Sequence, residues 1–459
     1  MLAVGARRPP EVDADVKGSR ETEKDVGCTE ARAAAAAVLV AVGRGTKLDE
    51  ALGRYARRLG RRDGAFVDEL AKQVVRNRRY VDYQLERVAA KPLAKLPPPV
   101  LDTLRMAVVE LYFLRTPAYA AAAEAVAAVK ASRFAGLAPF VNGVVRALAA
   151  RDGPAEVEGD AARRLAVKYS YPDWFVRRWL ERLGPAEAEE FLAANNVPAP
   201  LNVYPNPARV SRAALADELG AEGCRVTDGP FGSLAVALGD KSLRELRAFR
   251  DGLFVVVDPA SSLGPRWLAP PEGATVADLC AGAGGKAVQL AWAVGPRGRV
   301  VAVDDDERRL SACAAAAERL GLANVETRRA DVLQDEWPRA DFVFLDAPCT
   351  NLGVIRRKPD VKWRVREEDV EAAAATQEAM LARALDASAP GAVVAYCVCS
   401  LEPEEGERVV ERVLGRASSS AVPCRGEEFG DACDGPYVRT WPHRHGCNGG
   451  FAALLRKGK

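Results

Sequence analysis

Two cysteines stand at positions where a sulfur nucleophile could act. Cys349 comes shortly after the apolar run Asp341–Leu345, and Cys399 directly follows the apolar run Ala392–Val398. Each run is typical of a buried strand. The residues after Cys399, SLEPEEGE, predict the start of a helix, and a helix N-terminus with nearby cations lowers the pKa of a thiol. Since the thiolate is the reactive form, Cys399 is a candidate nucleophile; a buried, inert thiol is the alternative interpretation.

A glycine-rich turn supplies a candidate ligand site. The apolar run Val276–Cys280 predicts a buried strand, and a helix is expected from Lys286. Three glycines stand between them: Gly282, Gly284 and Gly285. Glycines let the backbone approach a ligand closely, and a helix N-terminus offers free N–H groups. An ordinary tight turn is the alternative for such a cluster taken alone.

An acidic residue follows this turn at the sequence separation that is typical of a ribose-binding carboxylate. The strand predicted over Arg299–Val303 ends at Asp304, about 20 residues after the glycines, where a Rossmann-like nucleotide-binding unit places the carboxylate that holds the ribose hydroxyls. The turn lacks the G-x-G-x-x-G pattern of dinucleotide sites. A cofactor with a ribose but no pyrophosphate fits better, and S-adenosylmethionine is of this kind.

From Thr275 onward the chain alternates predicted strands and helices. This alternation predicts a parallel sheet covered by helices on both faces, which is an α/β Rossmann-like fold. Ligands of such sheets gather at the carboxyl ends of the strands. Five separated stretches are predicted to fall there: Cys280–Lys286, Asp304, Asp331, Asp346 and Cys399.

Residues 31–150 are predicted to form a positively charged all-α domain, with one of its helices over Asp63–Ala89. They carry 20 Lys and Arg against 10 Asp and Glu, whereas the net charge of the whole chain is only +2. The arginines are concentrated at 54–62 and 76–79. Because arginine forks match phosphate oxygens, the concentration predicts contact with a polyanion. A solvated helix face is the alternative for any single arginine.

The remaining parts of the chain complete the domain plan. Residues 1–30 are predicted to be a disordered tail, residues 161–255 a helical stretch (Ala161–Asn196) with a small α+β module, and residues 256–459 the α/β domain. A composition of 49% hydrophobic and 28% charged residues is typical of globular proteins, and no apolar run is long enough for a membrane span. Ten cysteines without a framework spacing predict the reducing cytoplasm. The lack of a coiled-coil pattern favours a monomer.

Four stretches resemble the motif series of the Sun-type (also called Fmu) ribosomal RNA cytosine-5 methyltransferases. They are DLCAGAGGK (278–286), AVDDDERRL (302–310), FLDAPCTNLGVIRRKPDVKW (344–363) and YCVCSLEPEEGE (396–407). The helical part, which ends FVNGVVRAL, resembles the NusB-like RNA-binding domain fused to the bacterial small-subunit enzymes. The likeness covers residues 31 to 459, and the paired DAPC and C-S-x-x-P-E-E motifs are highly specific.

The resemblance implies a class I S-adenosylmethionine-dependent methyltransferase domain that methylates carbon 5 of a cytosine, with 16S ribosomal RNA as the partner. In this chemistry a thiolate adds to carbon 6, so that carbon 5 can accept a methyl group, and an acid contacts ring nitrogen 3. By resemblance Cys399 would be the nucleophile, Cys349 would assist product release and Asp346 would face the cytosine. The implied cofactor-binding residues are Cys280, Ala281, Gly282, Ala283, Gly284, Gly285, Lys286, Asp304, Asp331 and Asp346.

Six positions depart from the family pattern: Ala283, Asn351, Val398, Asn202, Tyr204 and Asn448. Ala283 stands where the family has proline. Asn351 stands where the family has glycine, and asparagine tolerates a left-handed backbone better than most residues.

The sequence is also compatible with other functions. A ribosome-assembly factor with a decayed methyltransferase domain would keep the basic helices and lose cofactor binding, and a methyltransferase could act on another RNA such as tRNA. A small-molecule or protein methyltransferase would not need two thiols at strand ends. A structural zinc ion could use a cluster near the end of the chain, but its spacing matches no finger pattern, so no metal is expected. The cluster consists of Cys424, Cys433, His443, His445 and Cys447.

Overall fold

The structure is a computed structural model that describes residues 29–416, 419–423 and 429–458. The tail predicted at residues 1–30 lies outside the described residues except for its last two positions, and Glu30 already begins the first helix. Among the described helices, none combines the length and the apolar composition that crossing a bilayer requires.

The N-terminal domain is built from helices, as the sequence predicts. They are α1 (Glu30–Gly43), α2 (Leu48–Tyr55), α3 (Arg61–Arg76), α4 (Arg78–Glu86), α5 (Pro98–Tyr112), α6 (Ala118–Lys130) and α7 (Ala138–Ala149). Their apolar faces share one core of alanine, valine and leucine side chains. The single helix predicted over Asp63–Ala89 is wrong, because the backbone at Asn77 (φ −110°, ψ 18°) leaves the helical region. The backbone N–H and the side-chain amide of Asn77 both donate to the Gln73 carbonyl, at 3.0 Å and 3.1 Å.

The middle of the chain pairs two helices with a small antiparallel sheet. Its elements are α8 (Ala161–Lys168), α9 (Asp173–Asn196), β1 (Leu201–Pro205), α10 (Arg212–Ala221), β2 (Arg225–Asp228), β3 (Leu234–Ala237), α11 (Arg247–Arg250) and β4 (Phe254–Val256). The strands lie in the order β2–β3–β1–β4. The helical stretch predicted over Ala161–Asn196 is interrupted after α8, where Ser170 adopts φ 58°, and is kinked at Gly184 (φ 73°).

The C-terminal domain is a large sheet flanked by helices. Its elements are α12 (Pro259–Leu268), β5 (Thr275–Leu279), α13 (Gly285–Val294), β6 (Arg299–Asp304), α14 (Glu307–Leu320), β7 (Val325–Arg329), β8 (Phe342–Asp346), α15 (Val361–Arg364), α16 (Glu367–Ala387), β9 (Val393–Val398), α17 (Glu407–Leu414), β10 (Ser419–Val422), β11 (Cys433–Asp434), β12 (Tyr437–Thr440), α18 (Pro442–His445) and β13 (Gly450–Lys457). In the described residues the strand order is β11–β12–β13–β9–β8–β5–β6–β7, with β10 also paired to β13.

The sheet is mixed, which corrects the prediction of a parallel one. Strands β5 to β9 are parallel to their neighbours, but β13 runs antiparallel to β9 along Gly450–Lys457. The alternation of strands and helices ends at α17, and the strands after it are joined by shorter connections that permit antiparallel pairing. The parallel strands still bring the loops after β5 to β9 to one edge, where the sequence places its candidate residues.

The segment between β8 and α16 docks onto the N-terminal domain through α15. Lys362 is 1% exposed, and its ammonium donates to the carbonyls of Arg76 at 3.0 Å and Ser170 at 3.1 Å. The neighbouring Trp363 donates from its indole N–H to the Val75 carbonyl at 2.7 Å. Since buried donors left without partners are costly, these bonds fix the two domains against each other.

Candidate active site

A cleft of about 620 Å³ opens at the carboxyl ends of strands β5 to β9. The structure brings most of the predicted residues together in it: Cys280, Gly282, Ala283, Asp304, Asp331, Asp346, Cys349 and Cys399. The other predicted residues of the glycine turn are not part of this lining; they are Ala281, Gly284, Gly285 and Lys286.

The glycine turn between β5 and α13 is a tight one. Gly284 has φ 84°, and a Cβ atom built there would lie 2.5 Å from the sulfur of Cys313, so only glycine fits between the turn and α14. The backbone N–H of Gly282 donates to Asp304 Oδ2 at 2.9 Å. This bond ties the turn after β5 to the end of β6, so the glycine turn and the acidic residue form one wall of the cleft.

Two carboxylates in the cleft are oriented by backbone N–H groups. Asp304 is 3% exposed, and its second oxygen accepts the N–H of Asp306 at 3.0 Å. Asp331, at the loop after β7, accepts the N–H of Leu333 at 2.8 Å. Such contacts hold each carboxylate in one orientation toward a ligand.

Lys286 forms an ion pair with Asp346 at a second wall of the site. The two side chains lie 2.5 Å apart, and both also line a small cavity beside Cys399. Burial by itself would lower the pKa of Lys286, but the charges of Asp346 and Cys399 outweigh it and raise that pKa above its usual value. Lys286 is therefore a fixed positive charge next to the Cys399 sulfur.

Cys399 and Cys349 are distinguished by their pKa values. The hydrogen bond with Cys349 lowers the pKa of Cys399 in spite of its burial; the charge of Asp346 opposes this shift, and the charge of Lys286 acts in the same direction as the hydrogen bond. The same hydrogen bond, together with burial, raises the pKa of Cys349 well above its usual value. These two directions correspond to Cys349 as the donor and Cys399 as the acceptor of the hydrogen bond. Both thiols are free and partly exposed to the cleft, so Cys399 is the better nucleophile.

A buried glutamate joins the backbone segments that carry the two thiols. Glu405 is fully buried and accepts the N–H of Thr350 at 2.9 Å and the hydroxyl of Ser400 at 2.7 Å. Thr350 directly follows Cys349, and Ser400 directly follows Cys399. Glu405 is therefore a positioning residue for both sulfurs. This role of Glu405 was not predicted from the sequence, where the available signal was an acidic side chain in the stretch that immediately follows Cys399.

Asp278 is a second buried acidic residue near the site that was not predicted from the sequence. It lies in the middle of β5 with no exposed surface, and neither carboxylate oxygen has a hydrogen-bond partner among the described residues. Burial, reinforced by the charges of Asp346 and Asp304, raises the pKa of Asp278 to about 8. The available signal was an acid inside the apolar run VADLC.

Two of the positions that depart from the family pattern, Asn351 and Tyr204, make side-chain hydrogen bonds in the structure. Asn351 adopts φ 62°, which confirms the expectation that it tolerates a left-handed backbone, and its amide donates to the Cys349 carbonyl at 2.8 Å. Tyr204 bonds the hydroxyl of Ser262 at 2.8 Å, which joins the small sheet to α12. No group of three or more metal-binding side chains occurs in the parts of the chain that the structure describes; Cys424 of the candidate zinc cluster lies outside them.

Replacing Cys349 with alanine is expected to raise the pKa of Cys399, because the thiolate loses its hydrogen-bond donor. A donor to a charged group contributes about 1.5 to 3 kcal/mol, which corresponds to a rise of about one to two pH units. The measurement is the pH dependence of Cys399 alkylation, followed by peptide mass spectrometry. Cys349→Ser keeps a donor and should shift less, and Cys224→Ala in the small sheet is the control. An unchanged profile in Cys349→Ala would refute the hydrogen bond.

Glu405→Gln is expected to lower the pKa of Cys349, because the negative charge of Glu405 is one of the causes that raise it. A more acidic thiol is a stronger donor, so the pKa of Cys399 should fall as well, and this fall should disappear in the double variant with Cys349→Ala. The same alkylation profiles measure this, with Glu411→Gln, on the exposed side of α17, as the matched control. Additive shifts would mean that Glu405 acts on Cys399 independently of Cys349.

Comparison with known proteins places the chain in a family. A family model described as 16S rRNA methyltransferase RsmB/F matches residues 265–456, a NusB family model matches residues 29–150, and the ferredoxin-like domain of RsmF/B-like methyltransferases matches residues 171–242. The ferredoxin-like match covers much of the small antiparallel sheet and the helix before it.

Relatives and solved structures agree with these matches. The chain is 30% identical to the probable ribosomal RNA small subunit methyltransferase B of Bacillus subtilis, over 85% of this chain and 90% of that protein. It is 31% identical to ribosomal RNA small subunit methyltransferase B of Escherichia coli O127:H6, again over 85% and 90%. The crystal structure of PH0851 shares the fold with a TM-score of 0.76, at 23% identity, over 95% of this chain and 100% of that one.

The identity to full-length relatives and the match of all three domains settle the family. The resemblance seen in the sequence motifs is confirmed, as are the NusB-like helical domain and the Rossmann-like methyltransferase domain. The chain belongs to the RsmB/F family of small-subunit ribosomal RNA methyltransferases, which act on RNA and use S-adenosylmethionine.

Proposed function

We propose that this chain transfers the methyl group of S-adenosylmethionine to carbon 5 of a cytosine in 16S ribosomal RNA through a covalent bond between Cys399 and carbon 6 of the base. The observation that carries the proposal is the pair of free thiols, Cys349 and Cys399, that line one cleft together with Asp346. A methyltransferase that acts on an oxygen or nitrogen atom has no need of a thiolate, because those atoms are nucleophiles themselves.

The cleft suits the proposed cofactor. S-Adenosylmethionine carries positive charge on its sulfonium and amino groups, and four of the lining residues are acidic: Asp304, Asp305, Asp331 and Asp346. We assign the ribose to Asp304, the adenine side to Asp331 and the methionine part to the glycine turn from Cys280 to Lys286. When bound, the cofactor supplies the methyl group for carbon 5.

The residues of the chain perform the remaining steps. The Cys399 sulfur adds to carbon 6, and the electron pair of the 5,6 double bond becomes available at carbon 5. Asp346 contacts the edge of the base, and the neighbouring Lys286 offsets the negative charge that builds up there. After methylation a base takes the proton of carbon 5, the double bond forms again and the bond between sulfur and carbon 6 breaks. Cys349, next to Cys399, assists this release.

Substitution of each thiol tests the proposal. Cys399→Ala is expected to lower methyl transfer to a 16S ribosomal RNA transcript by at least about a thousandfold, since it removes the nucleophile. Cys349→Ala should still form the bond to RNA but release it slowly, so that a protein–RNA adduct stable to denaturing gels accumulates. Cys224→Ala, far from the cleft in the small sheet, should behave as the unmodified chain.

Three outcomes would count against the proposal. An adduct that accumulates in Cys399→Ala would reverse the roles of the two cysteines. Full activity of Cys399→Ala would exclude a covalent mechanism. Failure of the unmodified chain to bind S-adenosylmethionine at equilibrium would favour an assembly factor with a decayed methyltransferase domain.

A further inference from the structure

Two lysines at the cleft have no role in the proposed chemistry. Lys47 directly precedes α2 and so comes from the N-terminal domain, whereas Lys358 lies in the segment between β8 and α15; both line the cleft that contains Cys399. Both side chains are exposed, and within the described part of the chain neither ammonium has an ion-pair or hydrogen-bond partner. Two positive charges that form no ion pair with a described residue therefore stand at the wall of the cleft.

Contacts between the two domains hold these lysines near each other. The backbone N–H of Leu48, next to Lys47, donates to Asp360 Oδ2 at 3.3 Å, and Asp360 follows Lys358 by two residues. Arg364 pairs with the same carboxylate at 3.2 Å, which keeps it in place. The start of α2 is thus tied to the loop that follows Cys349, and Lys47 reaches the cleft because of this contact.

Charge and ligand chemistry indicate what the lysines bind. The carboxylates of the cleft attract a cationic cofactor, whereas lysines attract phosphate. S-Adenosylmethionine has no phosphate group, and its one anionic group, the α-carboxylate, belongs to the methionine part that we assign to the glycine turn. An anion at Lys47 and Lys358 therefore comes from the other substrate. A base can enter the cleft only when its nucleotide is turned out of the strand, and this brings the flanking phosphates to the rim.

We propose that Lys47 and Lys358 bind the RNA phosphates on either side of the nucleotide whose base enters the cleft. This inference rests on the proposed function, and it makes the N-terminal domain a direct part of the substrate site. The domain then holds the strand at the reacting nucleotide in addition to any contacts its arginines make elsewhere.

The test compares Lys47→Ala, Lys358→Ala and the double variant with Lys130→Ala, an exposed lysine at the end of α6 that is not in the cleft lining. Methyl transfer to a 16S ribosomal RNA transcript is measured over RNA concentration, and binding of the transcript is measured over a range of salt. Each cleft variant should raise the KM for RNA about threefold to tenfold with little change in kcat, and should reduce the slope of log affinity against log salt by about 0.7.

Specific results would overturn the inference. Unchanged KM and salt slope in the double variant would exclude phosphate contact, and a weaker equilibrium affinity for S-adenosylmethionine would assign the lysines to the cofactor instead. Lys47→Arg and Lys358→Arg should restore RNA affinity, since arginine also binds phosphate; loss in these variants would indicate a structural role. If the unmodified chain transfers no methyl group, the proposed function fails, while the salt dependence of RNA binding still decides the role of the lysines.

Discussion

The hydrogen bond between the Cys349 and Cys399 thiols is the interaction on which the proposed chemistry depends. Two identical thiols would be equally unreactive near neutral pH, but a shared hydrogen bond makes one of them the acceptor and lowers its pKa. The positive charge of Lys286 also lowers the pKa of Cys399, which adds to the difference between the two thiols. Glu405 accepts hydrogen bonds from Thr350 and Ser400, which directly follow the two cysteines. The site therefore contains one nucleophile and one partner, although both are cysteines at the ends of adjacent strands.

The contact with the N-terminal domain also fixes the segment that leads away from Cys349. The chain that leaves Cys349 runs through Lys358 and Asp360 into α15, where Lys362 and Trp363 are anchored to carbonyls of the N-terminal domain. A displacement of that domain would pull on the segment that positions Cys349. The helical domain thus contributes to the geometry of the cleft as well as to the surface that faces RNA, which explains why the domains are packed through buried polar contacts rather than joined by a loose linker.

The sequence predicted the three-part fold and most of the residues that meet in the cleft, but not every element of the fold. Motif residues such as Cys399, Asp304 and Asp346 could be placed because strand ends of a parallel sheet converge at one edge. The antiparallel strand β13 could not be placed, since the apolar run near the C-terminus is compatible with pairing at either edge of the sheet. The break at Asn77 is a change in the backbone conformation of a single residue, which the periodicity of apolar residues does not record.

Residues whose role depends on their burial could not be predicted from the sequence either. Glu405 and Lys362 carry charges and would be assigned to the surface by type, yet both are buried because several oxygen or nitrogen atoms from distant segments surround them. The same holds for Asp278, whose raised pKa follows from its position in the centre of the sheet. These contacts join residues far apart in the chain, so only the folded structure reveals them.

The most direct measurement uses a 16S ribosomal RNA transcript that contains 5-fluorocytidine in place of cytidine, incubated with the chain and S-adenosylmethionine. Fluorine at carbon 5 cannot leave as a proton, so the bond between the attacking sulfur and carbon 6 persists and can be located by digestion and peptide mass spectrometry. We predict that the nucleotide is attached to the peptide that contains Cys399. Attachment to Cys349, or the absence of any attached nucleotide while ordinary transcript is methylated at carbon 5, would contradict the assignment of Cys399 as the nucleophile.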